Sequence, residues 1–232
     1  MNKTTYTVDD KECILYSCHS VEYVLIQPVD DHDIELLVNE VEYIANKVGE
    51  TFALAAFKIN AWNDELSPWE AEPVFGKEPF RGCAHITLLY VKQHLIPDIL
   101  IRCGLPDDIP VLIGGYSLAA LFSMWCGYET DTFTAVAAAS PSVWFPGWID
   151  YARDNYIQTE SVYLSLGDKE EKTKNKIMAR VGDSIREQFD MLNNRDDVAS
   201  TLEWNEGNHF RDSDIRTAKA FVWCINNINR RM

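Results

Sequence analysis

From residue 110 onward, short apolar runs rich in β-forming residues alternate with stretches of helical length and period, a pattern that few folds accommodate. "PVLIGG" (110–115) leads to a helix over 117–127, and "FTAVAAAS" (133–140) leads to the loop "PSVWFPGW". "SVYLSLG" (161–167) is followed by a helix over about 172–193, with Ile177, Met178, Val181, Ile185, Phe189 and Leu192 on one face. "STLEW" (200–204) passes through "NEGNHF" to a last helix that groups Ile215, Ala218, Phe221, Val222, Ile225 and Ile228. Strands separated by helices of this length require right-handed crossovers. The expected fold is therefore α/β, a mostly parallel sheet with helices on both faces.

The first half suits the same plan. "CILYSC" (13–18) and "VEYVLIQPV" (21–29) read as two strands paired with each other. Apolar residues at helical spacing predict a helix over Asp31–Val48, whose N-terminus is suited by Asp30, Asp31 and Asp33. "TFALAAFKI" (51–59) reads as a strand buried on both faces. A turn-rich segment over 60–79 is expected to be a loop, followed by a helix around 80–96 that is interrupted or ended at Pro97. No repeat, low-complexity tract or linker divides the chain, so residues 1–232 are expected to form one domain, with no large lid inserted after "AAAS". A chain of this size with 47% apolar residues can bury its core without disulfides or metals.

Composition excludes several function classes. The six cysteines (Cys13, Cys18, Cys83, Cys103, Cys126 and Cys224) form no C-x-x-C pair, which argues against a zinc site or a redox dithiol and for core thiols. No metal and no cofactor is expected. A net charge of −15, from 36 acidic and 21 basic residues, repels phosphate backbones and anionic lipid. Nucleic-acid and membrane partners are therefore not expected. The opening "MNKTTYTVDDKECILY" lacks the basic segment and apolar core of a secretion signal. No run approaches the ~18 apolar residues of a membrane helix, and a cytoplasmic protein is the expectation.

In an open parallel sheet, ligands gather at the carboxyl ends of the strands, and three of those ends carry reactive side chains. The first is Gly115-Tyr116-Ser117-Leu118-Ala119, close to the G-x-S-x-G turn that lifts a serine out of a sheet. Ala119 replaces the second glycine, an extra methyl that a slightly wider helix–strand contact would absorb. Taken by itself the pattern serves equally well for a helix-capping serine. A nucleophilic serine needs a base. Of the five histidines, His209 in "EGNHF" alone joins a strand's carboxyl end to a position downstream of the serine. A carboxylate to orient that imidazole is offered by "YLSLGDKEEKT", where Glu170 is favoured over Asp168, with Glu171 a third choice.

The order serine, acid, histidine is that of the α/β hydrolases. "GGYSLAA", "SPSVW", "LGDKEEKT" and "GNHF", spread over residues 50–229, resemble the small bacterial esterases of that superfamily. They are similar to the branch that holds enterochelin-type siderophore esterases and formylglutathione hydrolase. The resemblance implies an α/β-hydrolase fold, a serine nucleophile at Ser117, a base at His209, and an oxyanion hole formed by backbone amides. Those amides would belong to Leu118 and to Trp62, with Ala61 or Asn63 as alternatives to Trp62. Trp62, Tyr116 and Trp144 are the candidate substrate contacts, and Trp69 shares their loops. The expected activity is hydrolysis of small or short-acyl carboxylic esters through an acyl-enzyme. Rival readings are an acyltransferase or peptidase using the same residues, or a non-catalytic binding protein of the same fold. A nucleotide site is disfavoured, since the turn lacks G-x-G-x-x-G and the lysine of a P-loop.

Overall fold

The computed structural model describes residues 1–230. Eight strands make one sheet in the order β1-β2-β4-β3-β7-β8-β9-β10. In chain order, β1 (Asn2–Val8) and β2 (Lys11–Ser17) form a hairpin, and β3 (Tyr23–Val29) leads into α1 (Asp31–Val48). Then come β4 (Phe52–Lys58), the short α2 (Trp62–Leu66), and a two-stranded ribbon of β5 (Glu70–Ala71) and β6 (Phe80–Arg81). α3 (Ala84–Tyr90) and α4 (Ile96–Cys103) precede β7 (Val111–Tyr116), α5 (Leu118–Glu129) and β8 (Ala135–Ala139). The chain closes with α6 (Trp148–Asp154), β9 (Ser161–Gly167), α7 (Val181–Asn193), β10 (Ala199–Asn205) and α8 (Ser213–Asn229).

β3, β4 and β7 through β10 run parallel, while β2 is antiparallel to both β1 and β4. The inner parallel strands are apolar along nearly their whole length because helices cover both sheet faces. α1 and α8 pack together on one face, where Leu37, Val41, Phe221 and Ile225 fill the interface. α2 through α7 serve the other face. α5 is buried on nearly every side, as a helix without a polar face must be.

Several expectations are corrected. The strands over 13–18 and 21–29 do not pair with each other; β4 lies between them. β1, largely polar and solvent-facing on the sheet edge, has no apolar signature that would mark it as a strand. Pro97 does not end the preceding helix. A π-helical turn over Val91–Leu95 joins α3 to α4, and this wider turn carries the helical chain past Pro97, which has no N–H to give the carbonyls behind it. The helix expected from residue 172 begins at Val181. Upstream, the Asn175 side chain accepts hydrogen bonds from the amides of Ile177 and Met178, and holds that segment in tight turns instead. All six cysteines are free thiols, with Cys13, Cys126 and Cys224 buried. No helix among the described residues is long and apolar enough to cross a membrane.

Candidate active site

β7 delivers Ser117 to a turn with φ 59° and ψ −118°, a conformation that a non-glycine residue holds only when its surroundings enforce it. Backbone hydrogen bonds supply that enforcement. The Ser117 amide donates to Ala139 O at 3.1 Å, and Ser117 O accepts from the amides of Leu121 and Ser142, each at 3.1 Å. A Cβ at Gly115 would lie 2.8 Å from the Ala119 Cβ, so the bare glycine makes room for the methyl of Ala119.

Ser117 and His209 meet across the ends of β7 and β10, with His209 Nε2 2.9 Å from Ser117 Oγ. On the other side of the ring, Nδ1 lies 2.6 Å from Glu170 Oε2. A carboxylate only accepts, so Nδ1 carries the proton and Nε2 presents its lone pair to the serine hydroxyl. This tautomer can take the serine proton and then exist as an imidazolium beside a carboxylate. Ser142 Oγ also lies 3.3 Å from Ser117 Oγ.

Of the three acids offered by the β9 turn, Glu170 is the one on the imidazole. Asp168 is not. Its Oδ1 accepts the Gly207 amide at 2.7 Å, a bond that holds its carboxyl below the usual range and pins the turn ahead of His209. Glu171 bonds Arg186 Nη1 at 3.0 Å, away from the imidazole.

The buried Glu170 carboxylate divides its work between its oxygens. Oε2 serves His209, while Oε1 accepts from the Gly167 amide (2.7 Å), Ser140 Oγ (2.8 Å) and Arg216 Nη1 (3.1 Å). Gly167 is required at this corner, since a Cβ there would sit 2.4 Å from Gly207 O and 2.9 Å from Glu170 Oε1. Tyr116 lines the cleft at Ser117, but its hydroxyl is already engaged. It donates to His209 O at 2.8 Å and accepts from Arg216 Nη1 at 3.0 Å, and burial pushes its pKa up to about 12. Sequence reasoning missed Ser140, Gly167 and Arg216. Arg216, Ala220 and Cys224 share one i, i+4 stripe of buried α8 residues, and a cation on that stripe was the available signal.

The amides of Leu118 and Trp62 open helices α5 and α2, and first-turn amides have no intrahelical acceptor. The Ala61 amide is spent on Glu65 Oε1 at 2.8 Å, as is that of Asn60 at 3.0 Å. Trp62 also lines the cleft of about 200 Å³ in front of Ser117, together with Asp30, His32, Asp33, His209 and Phe210. There burial, reinforced by Asp30, pushes the Asp33 carboxyl up to about 6. A second cavity of about 290 Å³ lies beyond His209, walled by Trp144, Met178, Val181 and Phe210 with Lys169 and Lys172 at its edge. Trp69 packs elsewhere, donating its indole N–H to Pro146 O and stacking near Trp148. Among the described residues, no group of three or more His, Cys, Asp or Glu side chains is placed to hold a metal ion.

No protein-family model matches the chain, and no curated protein matches it in sequence. Solved structures do match it in shape. An IroE-like serine hydrolase from Shewanella oneidensis aligns over 96% of this chain and 79% of its own, with a TM-score of 0.79 and 11% identity. The siderophore hydrolase EstA from Aspergillus nidulans aligns over 98% and 93%, with a TM-score of 0.72 and 13% identity. The Pyrococcus furiosus esterase Pf2001 aligns over 97% and 92%, with a TM-score of 0.59 and 11% identity. With its strand order, its serine turn after β7 and these likenesses in shape, the chain has the α/β-hydrolase fold.

Proposed function

We propose that the protein is a serine hydrolase that cleaves small carboxylic esters through an acyl-enzyme. The reading rests on one observation, the unbroken hydrogen-bond chain from Ser117 through His209 to Glu170. Ser117 Oγ attacks the ester carbonyl carbon while its proton passes to His209 Nε2. The carbonyl oxygen takes up the electron pair and is met by the amides of Leu118 and Trp62. The carbon–oxygen bond to the alcohol then breaks, His209 returns the proton to the departing alkoxide, and the acyl group remains on Ser117. Water repeats the attack with His209 again as base, releasing the acid and restoring the serine.

Known magnitudes suffice for this chemistry. A positioned base contributes about 100–10,000-fold, and one fixed oxyanion donor contributes about 100–1000-fold. Glu170 stabilises the imidazolium and holds its tautomer. The cleft at Ser117 and the neighbouring cavity give the two arms of an ester separate places, with Trp144 and Phe210 offering apolar contact. The names carried by the structural neighbours, serine hydrolase and esterase, agree with this assignment.

Fluorophosphonate labelling followed by peptide mapping, together with turnover of p-nitrophenyl acetate, tests it. The label is expected on Ser117, and Ser117→Ala is expected to lose turnover while keeping the parent's unfolding transition. Undiminished turnover in Ser117→Ala would overturn the assignment.

A further inference from the structure

Arg216 is a charged side chain only 2% exposed, in a position that an apolar residue would fill at less cost. Removing a guanidinium from water is expensive, and a buried ion pair seldom returns that cost as stability. What it can supply is orientation. Nη1 reaches Glu170 Oε1 at 3.1 Å and the Tyr116 hydroxyl at 3.0 Å, while Nη2 donates to Glu206 O at 3.1 Å. Glu206 lies three residues before His209, and Tyr116 in turn donates to His209 O. One planar cation thus grips both the carboxylate and the backbone that carries the imidazole.

We propose that Arg216 is a positioning residue for the His209–Glu170 pair, an inference that rests on the esterase reading above. Donating to Oε1 beside Gly167 and Ser140, it adds the charged contact that fixes the rotation of the carboxylate, and Oε2 is left to His209. By holding Tyr116 and Glu206 O it fixes where Nε2 stands relative to Ser117. Arg216 lines neither the cleft at Ser117 nor the cavity beyond His209, so its influence on substrate passes through the pair.

Arg216 is the one cation other than the imidazole hydrogen-bonded to Glu170 among the described residues.

The test is steady-state kinetics of this chain on p-nitrophenyl acetate. Arg216→Met is expected to lower kcat by about 10–100-fold, the scale of an ångström-size misplacement, with KM within about twofold. Arg216→Lys keeps the charge but not the fork, so kcat recovers only in part. In a Glu170→Gln background, adding Arg216→Met is expected to cost under about threefold, because coupled residues do not add. Parent-like kcat in Arg216→Met, a loss confined to KM, or a fully multiplicative loss in the Glu170→Gln background would each overturn the inference. If Arg216→Met fails to fold, Arg216→Lys decides, and parent-like kcat in that variant overturns the inference. Ser117→Ala measured alongside separates the two failures. Undiminished turnover there overturns the esterase reading, whereas loss at Ser117 with none at Arg216 overturns this inference alone.

Discussion

Asp33 is held between two demands. It closes the capping box of α1, with Oδ2 accepting the Asp30 amide while its own amide donates to Asp30 Oδ1. It also forms part of the wall of the cleft at Ser117, where burial and the neighbouring Asp30 push its carboxyl up to about 6. In the unfolded chain the same group loses its proton near pH 4. Below that pH both states are protonated and the group contributes no penalty. Between about pH 4 and 6 the folded state holds a proton that the unfolded state has released, so this part of the stability is lost as pH rises and stays lost above 6. Full expression would amount to about 3 kcal/mol. Residual exposure and the α1 N-terminus return part of it, which leaves a net penalty of roughly 1 kcal/mol. Asp33→Asn keeps an acceptor for the Asp30 amide without the charge. Urea unfolding at pH 7.5 is expected to find the variant about 1 kcal/mol more stable than the parent, with no difference at pH 4. An equal gain at both pH values would assign the effect to something other than the buried charge.

The serine turn shows at the level of elements why five residues must be read as a unit. The Ala119 methyl occupies space that a side chain at 115 would need, with a hypothetical Cβ at Gly115 2.8 Å from Ala119 Cβ and 3.2 Å from Ala119 C. Gly115→Ala is therefore expected to lose activity and about 1–3 kcal/mol of stability, the usual cost of overpacking. Adding Ala119→Gly removes the nearer contact and is expected to restore part of both, measured as p-nitrophenyl acetate turnover and melting temperature. A double variant no better than Gly115→Ala would place the conflict elsewhere. Most of these elements were legible in the sequence, because buried strands and amphipathic helices write their environment into their periodicity. α1 and β9 match their expected bounds to the residue. The misreadings arise where local chemistry overrides period, at the Asn175 turns that delay α7 and at the π turn that carries the chain past Pro97. The site was legible to the extent that each group stands at a strand end. Ser117, His209 and Glu170, which lie in one hydrogen-bond chain, were singled out in that way. Arg216 was not, since it stands in the first turn of α8 and not at a strand end, and the two side chains it holds, Glu170 and Tyr116, lie 46 and 100 residues away in the chain.

At the scale of the molecule, the question is whether anything closes over Ser117. The segment between β8 and β9 is where an insertion could form a cover, and here it is short and fastened down. Its one helix, α6, begins at the fully buried Trp148, whose indole N–H donates to Gln188 Oε1 on α7 at 3.0 Å. Gln188 in turn donates to the Tyr128 hydroxyl on α5 at 2.9 Å. Trp148 stacks edge-on to Tyr128 and lies beside Tyr151, so lifting α6 would break a buried aromatic cluster as well as both hydrogen bonds. Burial of one such aromatic side chain is worth about 1.5–3 kcal/mol, and each hydrogen bond adds about 1 kcal/mol. A movement of that cost is a poor candidate for a cover that opens on contact with lipid. Phe210, beside His209, stands 90% exposed with nothing over it. The site is therefore open before any substrate arrives, and its rate should follow the concentration of dissolved ester alone. With tributyrin, the velocity is expected to saturate smoothly and to show no upward break where the substrate passes its solubility limit and an oil surface forms. A sharp rise at that point would mean that the segment carrying α6 moves at an interface, and that the molecule carries a lid after all.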